Sequence, residues 1–210
     1  MANYEDLSKQ VIAGNQAKVK ELTQSLVDGG DAPLEIINQG LIAGMNVVGA
    51  RFKNGEMFVP EVLMAAKSMA AGIEIVKPLI AAEDMPSIGK VLLGTVKGDL
   101  HDIGKNLVGM MLESGGFTVI NMGIDISPEQ FVAAIKEYKP DVLAMSALLT
   151  TTMLHMKDTI ELMKEEGLAD KVKVIVGGAP ISQDFADEVG ADGFAPDAAS
   201  AVDLCKKLLS

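Results

Sequence analysis

His101 stands between two aspartates in the segment Gly98-Asp99-Leu100-His101-Asp102-Ile103-Gly104, directly after the apolar run Val91-Leu92-Leu93-Gly94-Thr95-Val96. These residue types suit a transition metal. Neutral imidazole is a ligand of intermediate softness, and a carboxylate two residues before it can orient the ring and decide which nitrogen stays free. The position suits a ligand as well, because open parallel sheets meet their ligands beyond the carboxyl ends of their strands. Two further segments close apolar runs in the same manner, Ser146-Ala147-Leu148 and Gly177-Gly178. Gly104 is expected to begin the following helix and to let the chain pass close to a ligand.

A scaffold must bring these three segments together. From Gly89 onward the pattern is strand then helix, repeated, with strands expected at 90–96, 117–122, 141–146, 172–176 and 192–195. Four of these are near-continuous apolar runs, as buried parallel strands require. Ser127-Pro128-Glu129-Gln130 reads as a capping box opening one helix, another is expected to begin near Ser182, and one near Thr152. The fold class is therefore α/β, a doubly wound, flavodoxin-like five-stranded parallel sheet. That strand order places the ends of the first, third and fourth strands side by side, where the three segments lie.

Before residue 85 the periodicity is helical. Leu7, Val11 and Ile12 mark one helix, interrupted at Gly14-Asn15; Val19, Leu22 and Leu26 mark a second, ending at Gly29-Gly30. Pro33 opens a third, expected to run to about Ala50, followed by a loop from Phe52 to Phe58. Pro60 opens a fourth, reaching roughly Ala81. This N-terminal four-helix bundle is assigned to 1–84 and the α/β domain to 89–210, with Glu83-Asp84-Met85-Pro86-Ser87 as linker and residues 83–89 as candidate hinge.

Composition narrows the function. A net charge of −11 without a dense Lys/Arg cluster argues against nucleic acid. No apolar run is long enough to span a bilayer, and the polar, acidic N-terminus reads as neither signal nor transit peptide. The single cysteine, Cys205, excludes an internal disulfide and a thiolate cluster and fits a reducing cytoplasm. It is expected to be packed rather than reactive, and His155 is expected on a helix surface. With no Trp and 13 Met, the core must be aliphatic and adaptable.

Asp99-x-His101-x-x-Gly104, then Ser146-x-Leu148, then Gly177-Gly178 resembles the cobalamin-binding signature of methionine synthase and its relatives. The resemblance implies cobalamin or another corrinoid as cofactor, with His101 as the lower axial ligand of cobalt. It implies that Asp99 accepts from the other imidazole nitrogen and that Ser146 extends that relay. Asp102, Ile103 and Gly104 belong to the same binding segment. Gly177 and Gly178 clear a slot for the cofactor's nucleotide tail, with Leu148 packing on it. Thr150 and Thr152 either donate to the cofactor or cap their helix, and Phe194 lines the tail pocket. The N-terminal stretch Gly44-Met45-Asn46-Val47-Val48-Gly49, with Phe52 and Met57-Phe58-Val59-Pro60, resembles the helical cap module of the same family. By that likeness Phe52, Val59 and Val62 cover the upper face of the corrin and keep water from reactive cobalt; Phe58 is expected in the bundle core.

The chain has room for cap and cobalamin modules only, so the resemblance implies a methyl carrier that has no catalytic residue of its own. Its expected partners are a substrate-specific methyltransferase, a corrinoid:folate or corrinoid:thiol methyltransferase, and a reductive activation protein. A cobalamin-dependent sensor, the small subunit of an adenosylcobalamin mutase, and a flavodoxin-like module that binds no corrin are the alternatives. The absence of a basic DNA-binding segment weighs against the first and the Phe52-to-Val62 cap segment against the second.

Overall fold

The computed structural model describes residues 3–80 and 87–210. The chain divides into two compact units, one reaching to Ser87 and taking in Ser114–Gly116, the other made of Ile88–Glu113 and Phe117–Ser210. Most of the expected linker, residues 83–86, lies outside the described residues, as does Ala81.

The first unit is helical. Helix α1 (Tyr4–Ile12) begins where the Asn3 side chain accepts the Asp6 N–H (2.7 Å), and α2 (Gln16–Asp28) where Asn15 accepts the Lys18 N–H (3.2 Å); both satisfy an orphan donor of the first turn. The third helix is longer than expected. It opens as α3 (Pro33–Glu35), passes through a π-helical stretch (Ile36–Ile42) and continues as α4 (Ala43–Lys53). Phe52 therefore sits in a last helical turn, where Arg51 and Lys53 complement the helix dipole, and the loop shrinks to 54–58. Helix α5 (Val59–Val76) is shorter than expected and gives way to a 3-10 turn at Lys77–Leu79, because Pro78 offers no N–H and its ring opposes a continued α-helix. Leu7, Val11, Val19, Leu41, Val48, Met69 and Val76 form its apolar interior.

Thr23, on α2, is fully buried and its hydroxyl has no hydrogen-bond partner among the described residues. An unsatisfied buried hydroxyl costs stability that a methyl of the same shape does not. Thr23→Val is expected to leave stability unchanged or raise it by about 1 kcal/mol in urea unfolding; a clear loss would contradict the unpaired hydroxyl.

The second unit is the expected sheet. Strands β1 (Lys90–Val96), β2 (Thr118–Ile126), β3 (Val142–Ser146), β4 (Lys173–Gly177) and β5 (Gly193–Phe194) run parallel in the order β2-β1-β3-β4-β5. Strand boundaries fall within a few residues of the sequence reading. β5 is shorter, and β2 runs on past residue 122 with irregular register against β1. The strands alternate with α6 (Ile103–Ser114), α7 (Pro128–Tyr138), α8 (Leu154–Glu165) and α9 (Gln183–Val189), and α10 (Ala198–Leu208) follows β5. The Ser127–Gln130 capping box forms as expected, and Ser182 caps α9. Phe131, Ile135, Leu143, Met156, Ile160 and Met163 join β-strand valines in one core cluster. Cys205 is buried in α10 and burial pushes its thiol up to about 12, so it is packed and unreactive. The chain leaves β1 for β2 on one side and reaches β3 on the other, and this reversal opens a crevice at the carboxyl ends of β1 and β3. No helix among the described residues is long and apolar enough to cross a membrane.

Candidate functional site

Residues 97–102 join β1 to α6 at that crevice. The Asp99 carboxylate is wholly buried and gathers donors from two loops. Its Oδ1 accepts the His101 backbone N–H (3.1 Å) and lies 2.7 Å from His101 Nδ1. Its Oδ2 accepts the Leu148 N–H (2.8 Å), the Leu149 N–H (3.3 Å) and the Thr152 hydroxyl (2.7 Å). Burial by itself raises the pKa of this carboxyl; the hydrogen bonds from Thr152, Leu148 and His101 outweigh it and hold the group well below the usual aspartate range. A carboxylate with only acceptor capacity assigns the proton to His101 Nδ1, which leaves Nε2 as a free acceptor. The His101 side chain is half exposed, at 51%, and the Thr95 hydroxyl anchors its carbonyl (2.9 Å).

The relay therefore runs His101–Asp99–Thr152, which corrects the expectation for Ser146. Ser146, at the end of β3 opposite Thr95 and Gly177, is not among the partners of Asp99. The β3–α8 loop turns back so that its sixth residue after Ser146, and not Ser146 itself, meets the carboxylate. The same bond answers the open choice at Thr152. Its hydroxyl serves Asp99 and the Leu149 carbonyl (3.0 Å), and α8 starts later, with no side-chain cap. Thr150 is exposed.

Around His101 the surface is apolar. Leu100 is 67% and Ile103 85% exposed, with Leu148 and Leu149 also open to solvent. Exposed large aliphatic side chains grouped about one polar atom mark a binding surface. A Cβ at Gly104 would meet nothing within 4 Å, so the chain itself does not require glycine there. At Gly177 and Gly178 the reverse holds: a Cβ would lie 2.9 Å from the Ala195 carbonyl oxygen and 1.8 Å from that of Ala147, and Gly178 has φ +129°. Phe194 is half-buried and packs against the core cluster.

Asp102 is engaged locally, accepting from Asn106 Nδ2 (2.9 Å). Next to it lies a residue that the sequence reading missed. Lys105 is almost fully buried, with Nζ donating to Asn106 Oδ1 (2.8 Å) and Asn121 Oδ1 (2.7 Å), so that it ties α6 to β2. Burial pushes its pKa down, opposed by the nearby Asp102 charge. A Lys-Asn pair in one sequence reads as solvent-facing helix, so no signal announces it. His155 lies in the first turn of α8 beside Asp158 (2.9 Å).

In the first unit, Phe52 is half-buried and Val59 exposed. Val62 has no accessible surface, contrary to the expectation of a cover residue: with Ala65, Ala66 and Met69 it follows the spacing of the buried stripe of α5. Phe58, expected in the core, is 67% exposed. It precedes α5, where its N–H donates to the Glu61 carboxylate (2.8 Å), and this turn directs the ring away from the helix stripe.

Among the described residues no three His, Cys, Asp or Glu side chains gather into a metal cage. Comparison with known proteins places this geometry. Models of the B12 binding domain match residues 4–77 and 89–203. The chain is 46% identical to a corrinoid protein of Desulfitobacterium hafniense over 100% of this chain and 98% of that one. It is 50% identical to the dimethylamine corrinoid protein of Methanosarcina barkeri over 85% and 84%. Among solved structures, a chain of the methanol:cobalamin methyltransferase complex of Methanosarcina barkeri matches with a TM-score of 0.87 at 32% identity, over 97% of this chain and 78% of that one.

Proposed function

This chain belongs to the B12-binding corrinoid proteins of methyltransferase systems, and from that premise we propose that it carries a methyl group between two partner methyltransferases, with His101 as the residue that would hold its cobalt. The residues fit a corrin. A single free imidazole nitrogen, with no group of three metal-binding side chains among the described residues, suits a metal that brings its own ring of ligands, and the aliphatic surface about His101 suits the flat apolar face of that ring. When bound, the corrinoid supplies a cobalt able to accept a methyl group from one partner and yield it to another.

The remaining work falls to the chain. Asp99 fixes the tautomer of His101 and the direction in which its ring presents Nε2. Thr152 and the Leu148 and Leu149 amides lock Asp99 in turn, so the imidazole is oriented before any cofactor arrives. Leu100, Ile103 and Leu148 bed the ring. Asp102 steadies the first turn of α6, while Gly104 leaves room beside it. Gly177, Gly178, Phe194 and the Ser146 and Thr150 hydroxyls border the space for the nucleotide tail. Phe52 and Val59, joined by Phe58, offer the apolar cover. Its partners in this reading are a substrate-specific methyltransferase, a corrinoid:folate or corrinoid:thiol methyltransferase, and a reductive activation protein.

The buried Asp99 holding His101 at the sheet's switch point carries this reading. Its test is methyl uptake and release. The corrinoid-loaded, reduced protein is expected to take up about one labelled methyl group per cobalt from methyl iodide, with release of iodide, and to give it up when an acceptor methyltransferase is added together with its folate or thiol. Label that no such enzyme removes would overturn the carrier reading.

A further inference from the structure

Among the described residues two non-glycine residues have positive φ, Lys139 (48°) and Asp125 (56°). Lys139 ends α7 in the left-handed form that helix C-termini commonly adopt. Asp125 has no such reason. It lies within β2, where the register against β1 slips: Gly94 pairs with Gly123, and Val96 with Ile126. Such irregularities re-aim side chains beside functional sites, and a strained residue persists only when its surroundings over-determine it.

The bonds it makes explain its retention. Asp125 Oδ1 accepts the Gly98 N–H at 2.7 Å, and the Asp125 N–H donates to the Asp99 carbonyl at 3.2 Å. The two bonds run in opposite directions and clasp the end of β2 to Gly98-Asp99. Gly98 itself takes φ +77°. Asp99 is the residue whose carboxylate holds both the His101 ring and its backbone N–H. The β3–α8 loop grips the side chain of Asp99, and Asp125 grips its main chain.

We propose that Asp125 is a positioning residue for His101, acting through Gly98 and Asp99 to fix where the imidazole stands. This rests on the reading of His101 as axial ligand. Left-handed backbone at Asp125 brings the carboxylate and the N–H to bear on the same loop, and neither alone would fix both its position and its direction. Neither bond of the clasp is made by Leu100, Ile103, Leu148, Gly177 or Gly178, so its loss leaves corrinoid binding and weakens ligation by His101.

The test uses full-length protein loaded with cobalamin and reduced to cobalt(II), whose electron paramagnetic resonance reads nitrogen ligation directly. Asp125→Gly relieves the backbone strain and removes the carboxylate; Asp125→Ala removes the carboxylate and keeps the strain; Asp125→Asn keeps an oxygen acceptor. The ratio of ligated to unligated cobalt is expected to fall about tenfold in the Gly and Ala variants, as the loss of a charge-assisted hydrogen bond implies, and to stay near wild type in the Asn variant. Asp125→Gly guards against a folding defect, since glycine accepts this φ at no steric cost. If the folded Gly variant keeps the wild-type ratio, the role is merely structural and the proposal is overturned. If wild type binds cobalamin without nitrogen ligation, the His101 reading fails and takes this one with it.

Discussion

Gly178→Ala is expected to destabilise the apo-protein by roughly 3–5 kcal/mol, among the largest effects a single methyl group can have. The Cβ would lie 1.8 Å from the Ala147 carbonyl oxygen, and φ is +129°, a region closed to L side chains. The opposing atom is backbone and cannot swing aside. Ala147 is fixed in turn, its N–H donating to the Gly177 carbonyl (3.2 Å), and the next two amides hold Asp99. A side chain at 178 therefore pushes the β3–α8 loop off the relay, and ligation should weaken together with stability. Urea unfolding measures the first; a loss under about 1 kcal/mol would show that the loop yields freely and that this close approach does not constrain the site.

Asp99 substitutions should separate folding from ligand orientation. Asp99→Ala strands the Leu148, Leu149 and His101 amides without their acceptor and leaves the Thr152 hydroxyl only the Leu149 carbonyl, at a cost of about 2–4 kcal/mol. Asp99→Asn keeps the shape and one acceptor oxygen. With that oxygen facing Thr152 and Leu148, its NH2 faces His101 Nδ1 and donates to it, which moves the imidazole proton to Nε2, while the His101 amide loses its acceptor. The wrong tautomer cannot ligate, the same logic by which an Asn in place of a triad Asp disables a protease histidine. Asp99→Asn is thus expected to fold and bind cobalamin with nitrogen ligation largely lost; wild-type ligation in this variant would refute the tautomer argument. The depressed carboxyl pKa adds a pH signature. Its folded value lies below the ordinary 3.8, so its stabilising contribution is complete above that value and fades as pH falls through the lower folded one.

How much of this was legible in the sequence depended on the kind of signal. Strands β1, β3 and β4 are continuous apolar runs, and their order followed from the strand–helix alternation, because buried parallel strands and crossover helices leave periodic marks. Ser127 and Ser182 were readable as caps, since capping is local chemistry. The relay was half readable. His101 and Asp99 are two residues apart, whereas Thr152 reaches Asp99 only through the path of the β3–α8 loop, which no spacing rule encodes, so Ser146 stood in its place. Val62 and Phe58 were exchanged, the one buried and the other exposed, because the phase of α5 depends on a turn made by Glu61 with the Phe58 amide. Lys105 and Asp125 left no trace at all. A buried lysine is written like a surface one, and left-handed backbone at an aspartate inside a strand is a tertiary consequence.

Ligation of the cobalt of a bound corrinoid by His101 is read directly in the electron paramagnetic resonance spectrum of the cobalt(II) form of cobalamin-loaded protein, for wild type and His101→Ala. Wild type is expected to show nitrogen coupling from a protein imidazole, and His101→Ala to lose it with cobalamin still bound. The same nitrogen coupling in both proteins, made isotope-sensitive by labelling the histidines, would contradict ligation by His101.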